Sequence, residues 1–420
     1  MKVTLVIKNI GELITVEGKD EKRKGKEQGN LTKIKNGIVL VEGEKIVYAG
    51  EEKNAPSYEV DNETVVIDAT NKTVTPGLID SHTHLVHGGS RENELEMKLK
   101  GKTYLEILAQ GGGIMSTLEK TKNMSEEELY NQAKKSALRL LSYGVTTIEA
   151  KTGYGISSFE TEMKQLNVQC RLNKDLDVDI VNTFMGAHAI PKEYKSDPDK
   201  FTDIIINDYL PKIKEDGRCK FCDVFCEEGV FTPEQSKRIL EKAKELGMIP
   251  KIHADEIVAL GGTKVAKEIG AISAEHLIKI TDEGIQDLKE GDVIANLLPG
   301  TSMNMGDYIF APGRKIVDND VAVAISTDYN PGSCPTENIQ LCMYYACLNM
   351  KMTPEEVLTG VTINAACAIG EEDKKGSLMP GKLADITIFD APNLNYIIYH
   401  FGINHTDTVI KNGKVVYKHC

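Results

Sequence analysis

The chain has 420 residues, with 50 Lys plus Arg against 63 Asp plus Glu and a net charge of −13. That length is too great for one small core and suits a large barrel carrying a second layer. The acidic balance, with no basic patch to offset it, argues against nucleic acid and other phosphate-rich partners, and no apolar run is long enough to span a bilayer.

The opening MKVTLVIKNIGEL has its apolar stretch broken at Lys8 and Asn9 and shows no small-residue cleavage pattern, so we expect a cytoplasmic protein. Residues 1 to about 75 carry β-type runs, VTLVIKNI, GIVLVEG, KIVYAG and TVVIDATNKTVTPG, punctuated by Gly, Asn and Asp. Short apolar runs then alternate with amphipathic helices. The candidate strands are LIDSHTH, VTTIEAK, VDIVNTFMGAH, FCDVFC, IPKIHAD, AISAEH, DVIANLL and VAVAISTD. Ser125 with Glu128, and Thr232 with Pro233 and Gln235, mark helix starts, while Gly144 and Gly247 stand where those helices should stop. After the connector GSLMPGK the β texture returns in LADITIFDA and TDTVIKNGKVVYK. The expected fold class is α/β: a (β/α)8 TIM-like barrel over 76–376, beside a small β-sandwich-like domain built from both termini, 1–75 and 377–420. An open doubly wound sheet is the alternative, but His, Asp and Glu at several strand ends favour a barrel, which gathers them into one site.

The nine cysteines are scattered and odd in number, which does not make a disulfide framework in a chain this size. Cys219 and Cys222 in CKFCDVFC have zinc-like spacing. No second pair completes a tetrahedral site, and with Cys226 the run fits a buried strand better.

His82 and His84 are two apart on a predicted strand, so their side chains leave the same face and can converge on one ion. A His-x-His pair alone is a weak signal, equally at home as two hydrogen-bonded residues at a polar strand end. His253 in KIHADE, His276 in SAEHL and Asp328 in STDYNPG strengthen it, because all three also close predicted strands. Neutral imidazoles suit Zn2+ or iron, and a carboxylate adds compensating charge and can accept a proton from water. We therefore expect one metal ion on His82, His84, His253 and Asp328, zinc ahead of Fe2+ or Fe3+. Asp328 is the expected base, and His276 is expected beside the nucleophile or the developing oxyanion.

The segment PGLIDSHTHL, the histidines ending the fifth and sixth strands and the terminal STD resemble the amidohydrolase superfamily over essentially the whole chain. That resemblance implies a metal-bearing barrel flanked by a β layer from both termini, and a homo-oligomer, with a homodimer expected. Two-metal members carry a bridging Lys or Glu at the fourth strand end; this chain has Cys226, Glu227 and Glu228 there, and with no Lys we expect one metal. HTHLVHGGSRENE, KTYLEILAQGGGI, EAKTGYG, FMGAHAIP, KIHADEI and STDYNPGS sharpen the resemblance to the branch that opens a cyclic lactam. The implied substrate is the small molecule 4-imidazolone-5-propanoate, hydrolysed to N-formimidoyl-L-glutamate in histidine degradation.

The same resemblance directs several residues toward substrate. Arg91 suits a propionate clamp, although pairing with Glu92 or Glu94 is its plainer alternative. Tyr154 and His188 are expected at the ligand, and Tyr104 either there or in a helix core. Glu256 is a candidate acid or base, or a helix-start charge. Asn330, Gly332 and Ser333 form a turn whose polar groups can hold the opened product. His87, His400, His405 and His419 receive no role; His87 is an odd number of positions from His82 and His84, so a continuing strand would turn it away. A nucleobase deaminase is the nearest rival, set apart by Arg91, since a neutral base has no carboxylate to clamp. A catalytically inert barrel would have lost metal-type residues that are all present here.

Overall fold

The computed structural model describes residues 1–18, 21–102, 106, 112–156, 158–306 and 308–419. Among these, eight parallel strands form one sheet in sequential order: Leu78–Thr83 (β1), Val145–Lys151 (β2), Asp179–Ala187 (β3), Phe221–Cys226 (β4), Ile249–Ala254 (β5), Ser273–His276 (β6), Ile294–Leu297 (β7) and Val323–Ile325 (β8). All eight runs anticipated from the sequence are strands. The first and last meet: Asp328 N donates to His82 O at 3.1 Å, His84 N to Tyr329 O at 2.8 Å, and the Asp80 carboxylate accepts from Thr327 N and Oγ1 at 3.0 and 2.6 Å. Those bonds draw the sheet into a (β/α)8 barrel rather than an open sheet.

Helices cover the outside because each crossover must return the chain to the start of the next parallel strand. The helix Glu126–Ser142 starts at Ser125 and Pro233–Glu245 at Thr232, each with both hydrogen bonds of a capping box. Gly144 (φ 94°) and Gly247 (φ 81°) take the left-handed backbone that ends them, which a residue with a Cβ adopts only at a cost. No helix among the described residues is long and apolar enough to cross a membrane.

Two smaller sheets come from the flanking segments. One orders 45–51, 37–42, 5–10 and 65–68; the other orders 414–418, 406–411, 386–389, 73–76, 12–14 and 33–34, so strands from both ends of the chain pair directly. Leu5, Ile7 and Val39 of the first sheet share a buried cluster with Leu13, Val74 and Ile388 of the second. The barrel has its own, larger core. Cys222 and Cys226 are buried in β4, and no cysteine belongs to a potential metal-holding group among the described residues.

Candidate metal centre

Carboxyl-end residues of the barrel strands converge on one point. Potential ligand atoms of His82, His253 and His276 lie within 4.8 Å of one another, as do those of His82, His84 and Asp328. The ring centroids of His82 and His253 are 4.6 Å apart, and those of His253 and His276 5.1 Å. Asp328 Oδ1 stands 3.4 Å from His82 Nε2 and 3.7 Å from His84 Nε2, while its Oδ2 accepts from Thr301 Oγ1 at 2.5 Å. Backbone geometry contributes: His276 (φ 70°) and Asp328 (φ 56°) sit in the left-handed region, strain of the order of 1–3 kcal/mol per residue that turns both side chains at the strand ends.

The protonation pattern suits a cation. His82 Nδ1 lies 2.8 Å from Glu275 Oε2, and His253 Nδ1 3.1 Å from Asp223 Oδ1. An ionised carboxylate only accepts, so each Nδ1 carries a proton and each Nε2 is the ring nitrogen turned to the centre. Both Nε2 atoms are buried without a partner, as are His84 Nδ1 and His276 Nδ1. Burial, reinforced by neighbouring cationic groups, holds the pKa values of His82, His84 and His276 well below the usual imidazole range, so these rings are neutral at physiological pH. Orphaned lone pairs in a buried cluster are costly in a native protein unless something occupies them, and the donor set fits zinc or iron.

Around this centre the neighbouring residues fall into three groups, two of them anticipated. His188, just beyond β3, donates from Nδ1 to Gly153 O (3.1 Å) and stacks on His84 with centroids 4.7 Å apart; Tyr154 is buried with its ring 5.4 Å from His188 and 5.6 Å from His84. Glu256 Oε2 is 3.6 Å from His276 Nε2, and burial, with Asp328 and Glu227 adding to it, pushes its carboxyl up to about 8. These three lie beside the imidazole cluster.

A second group is bound up with its own surroundings. Arg91 donates through Nε and Nη2 to both oxygens of Glu94, at 2.9 and 2.8 Å. The plainer alternative for Arg91 is therefore realised on one edge of the guanidinium. Its Nη1 packs on Gly332, where a Cβ would collide with it. Asn330 is spent on its turn: Oδ1 accepts from Gly332 N and Ser333 N at 2.8 Å each, and Nδ2 donates to Asp328 O and Ser333 Oγ. Glu227 accepts from Ile257 N (2.9 Å) and Val258 N (3.1 Å), which anchors the loop carrying Glu256, and neither it nor Glu228 joins a potential metal group. Tyr104 lies outside the described residues.

The third group was not anticipated. β1 ends at Thr83, so the strand parity that would turn His87 away does not reach it. His87 is buried, with Nδ1 3.2 Å from Gln132 Nε2 and its ring 6.3 Å from Tyr154. Beneath the imidazoles, Glu149, Lys151, Asp223, Lys251 and Glu275 are all 0 % exposed. Asp223 is held far below the ordinary carboxylate range: although burial alone would raise it, His253 and Lys151 more than reverse that. The signal for them was available in Glu149-x-Lys151, Lys251-x-His253 and Ser273-x-Glu275, polar residues at the period of two that puts them on one strand face.

A barrel with imidazoles and a carboxylate gathered at the carboxyl ends of its strands fits a class, the metal-dependent barrel hydrolases. The amidohydrolase family model matches residues 73–416. Imidazolonepropionase of Alkaliphilus oremlandii is 55 % identical over 416 residues, covering 99 % of this chain and 98 % of the relative; that of Fusobacterium nucleatum is 52 % identical over 419 residues, covering 100 % of both. The chain belongs to the amidohydrolase family, in its imidazolonepropionase branch. Among solved structures it is similar in fold to an adenosine deaminase from Xanthomonas campestris with bound zinc (TM-score 0.70, 17 % identity, 99 % of this chain and 93 % of that one). A zinc complex of atrazine chlorohydrolase from Arthrobacter aurescens is comparable (TM-score 0.69, 16 % identity, 99 % and 95 %).

Proposed function

We infer that this chain hydrolyses the ring C–N bond of 4-imidazolone-5-propanoate, releasing N-formimidoyl-L-glutamate. The observation that carries the reading is the 55 % identity to an imidazolonepropionase along 99 % of the chain, and no observation favours the nucleobase-deaminase alternative. His82, His84, His253 and Asp328 would hold one divalent ion, zinc ahead of iron. When bound, the ion would acidify a water, polarise the lactam carbonyl and lower the proton affinity of the carboxyl groups around it.

Asp328 takes the proton of the attacking water on Oδ1, the oxygen that Thr301 leaves free. His276 hydrogen-bonds the developing oxyanion. Glu256, whose buried carboxyl holds a proton more tightly than an ordinary carboxylate, returns that proton to the departing ring nitrogen. His188 and Tyr154 wall the pocket beside His84, and the Asn330–Ser333 turn presents backbone and hydroxyl groups to the opened product. A cytoplasmic homodimer acting on a free small molecule fits the same reading.

Arg91 provides the test. With one edge fixed by Glu94, its Nη1 edge remains to meet the propionate, a charge-assisted contact of about 1.5–3 kcal/mol. Arg91→Ala is expected to raise KM for 4-imidazolone-5-propanoate by roughly 10–100-fold, the equivalent of that energy. It should leave the slow turnover of an imidazolone lacking the propionate unchanged. Equal losses on both substrates would mean that Arg91 supports the loop and does not read the tail.

A further inference from the structure

The buried groups beneath the imidazoles form one continuous chain. From His82 Nδ1 it runs to Glu275 (2.8 Å), from Glu275 to Lys251 Nζ (3.7 Å), and from Lys251 to Glu149 (3.2 Å). It continues from Glu149 to Lys151 Nζ (2.8 Å), from Lys151 to Asp223 (2.8 Å), and from Asp223 to His253 Nδ1 (3.1 Å). Two ammonium groups and three carboxylates thus alternate between two imidazoles of the centre, across five of the eight barrel strands and out of reach of water.

We propose that Lys151 and Lys251 are positioning residues of the metal centre, holding Asp223 and Glu275 so that His253 and His82 both keep Nδ1 protonated and present Nε2 to the ion. This rests on the metal assignment above and goes beyond it, since neither lysine touches the ion or the substrate. A neutral imidazole has two tautomers of similar energy, and only one leaves Nε2 free to ligate. The carboxylate at Nδ1 selects that tautomer while it stays an oriented acceptor. The lysines contribute to that orientation: Lys151 donates to Asp223 Oδ2 while Oδ1 faces His253, and Lys251 brings positive charge to Glu275 Oε1, which also accepts from Ser273 Oγ, while Oε2 faces His82 and accepts from Asn296 Nδ2. Lys251 is itself fixed by Ser81 O and Ala368 O, so its ammonium cannot drift toward the centre. Without the ammonium each carboxylate loses its counter-charge, and Asp223 a hydrogen-bond donor as well, which loosens the ring plane of the imidazole it faces.

The test uses the full chain with zinc. Histidine-selective 15N spectra of the zinc-loaded protein should show His82 and His253 protonated at Nδ1 and ligated through Nε2. Lys151→Met and Lys251→Met, similar in length but uncharged, should lower zinc affinity in chelator competition by roughly 10–100-fold, as loss of groups that orient metal ligands typically does. Lys151→Arg should recover part of the loss. Folded Met variants that bind zinc as the parent does would overturn the proposal while leaving the metal assignment standing. If neither Met variant folds, the spectra of the parent decide, and ligation through Nδ1 would overturn it. A parent chain that takes up no zinc would remove the metal assignment, and this proposal with it.

Discussion

Asp328→Asn should cut kcat for 4-imidazolone-5-propanoate by at least about 10²–10⁴-fold, the usual contribution of a positioned base, while the metal-free protein becomes more stable. Both effects have one origin. Asp328 is buried among imidazoles, and burial pushes its pKa to about 6 from an ordinary 3.8, against the pull of Thr301. A carboxyl whose pKa is higher folded than unfolded binds its proton more tightly in the native state. Above the folded value the ionised group therefore costs stability, here about 3 kcal/mol. Below the unfolded value both states are protonated and the cost vanishes. Asn carries no such charge, so metal-free Asp328→Asn should exceed its parent in urea midpoint at pH 7, and the gap should close as pH falls from about 6 to 4. A variant less stable than its parent at pH 7 would mean that the Thr301 contact, and not the buried charge, dominates at this position.

The largest loss of stability is expected from Glu149→Leu. Glu149 joins the two buried lysines, at 2.8 Å from Lys151 and 3.2 Å from Lys251. Removing it leaves two ammonium groups and two carboxylates that must also serve His82 and His253. Removing one member of a buried charged network, with its partners left in place, typically costs about 3–5 kcal/mol. Urea unfolding of the zinc-saturated chain reads this as a lower midpoint. Glu149→Leu with Lys151→Met should recover part of the loss, because the second change withdraws an ammonium that the first left unpaired. A loss below about 1 kcal/mol would show that water or a rearranged side chain replaces Glu149.

The barrel was legible because its strands are short apolar runs separated by capped helices, a pattern set by local chemistry at Ser125, Thr232, Gly144 and Gly247. The convergence of His82, His84, His253, His276 and Asp328 was legible for a topological reason: residues closing parallel strands meet at one mouth. Legibility failed where partners are distant in sequence. Lys151 and Asp223 are 72 residues apart, and His82 and Glu275 193, so nothing local reports the pairings. It also failed where a side chain had two plausible partners. Arg91 was weighed between a ligand and Glu94, and the fold uses one edge of its guanidinium for Glu94. Asn330 looked equally able to face a product or close a turn, and both ends of its amide are engaged in the turn. For His87 the parity argument does not apply, because it assumes a strand that continues past Thr83, where this one stops.

The central claim is hydrolysis of an imidazolone carrying a propionate at a single metal ion. Its most direct test follows consumption of 4-imidazolone-5-propanoate by purified protein while metal is counted in the same sample. The expected result is N-formimidoyl-L-glutamate formed at a rate proportional to bound zinc or iron, saturating at one ion per chain, abolished by chelation and restored by adding the ion back. Fully metal-loaded protein that leaves this substrate intact, or that turns it over equally well after the metal is removed, would contradict the account.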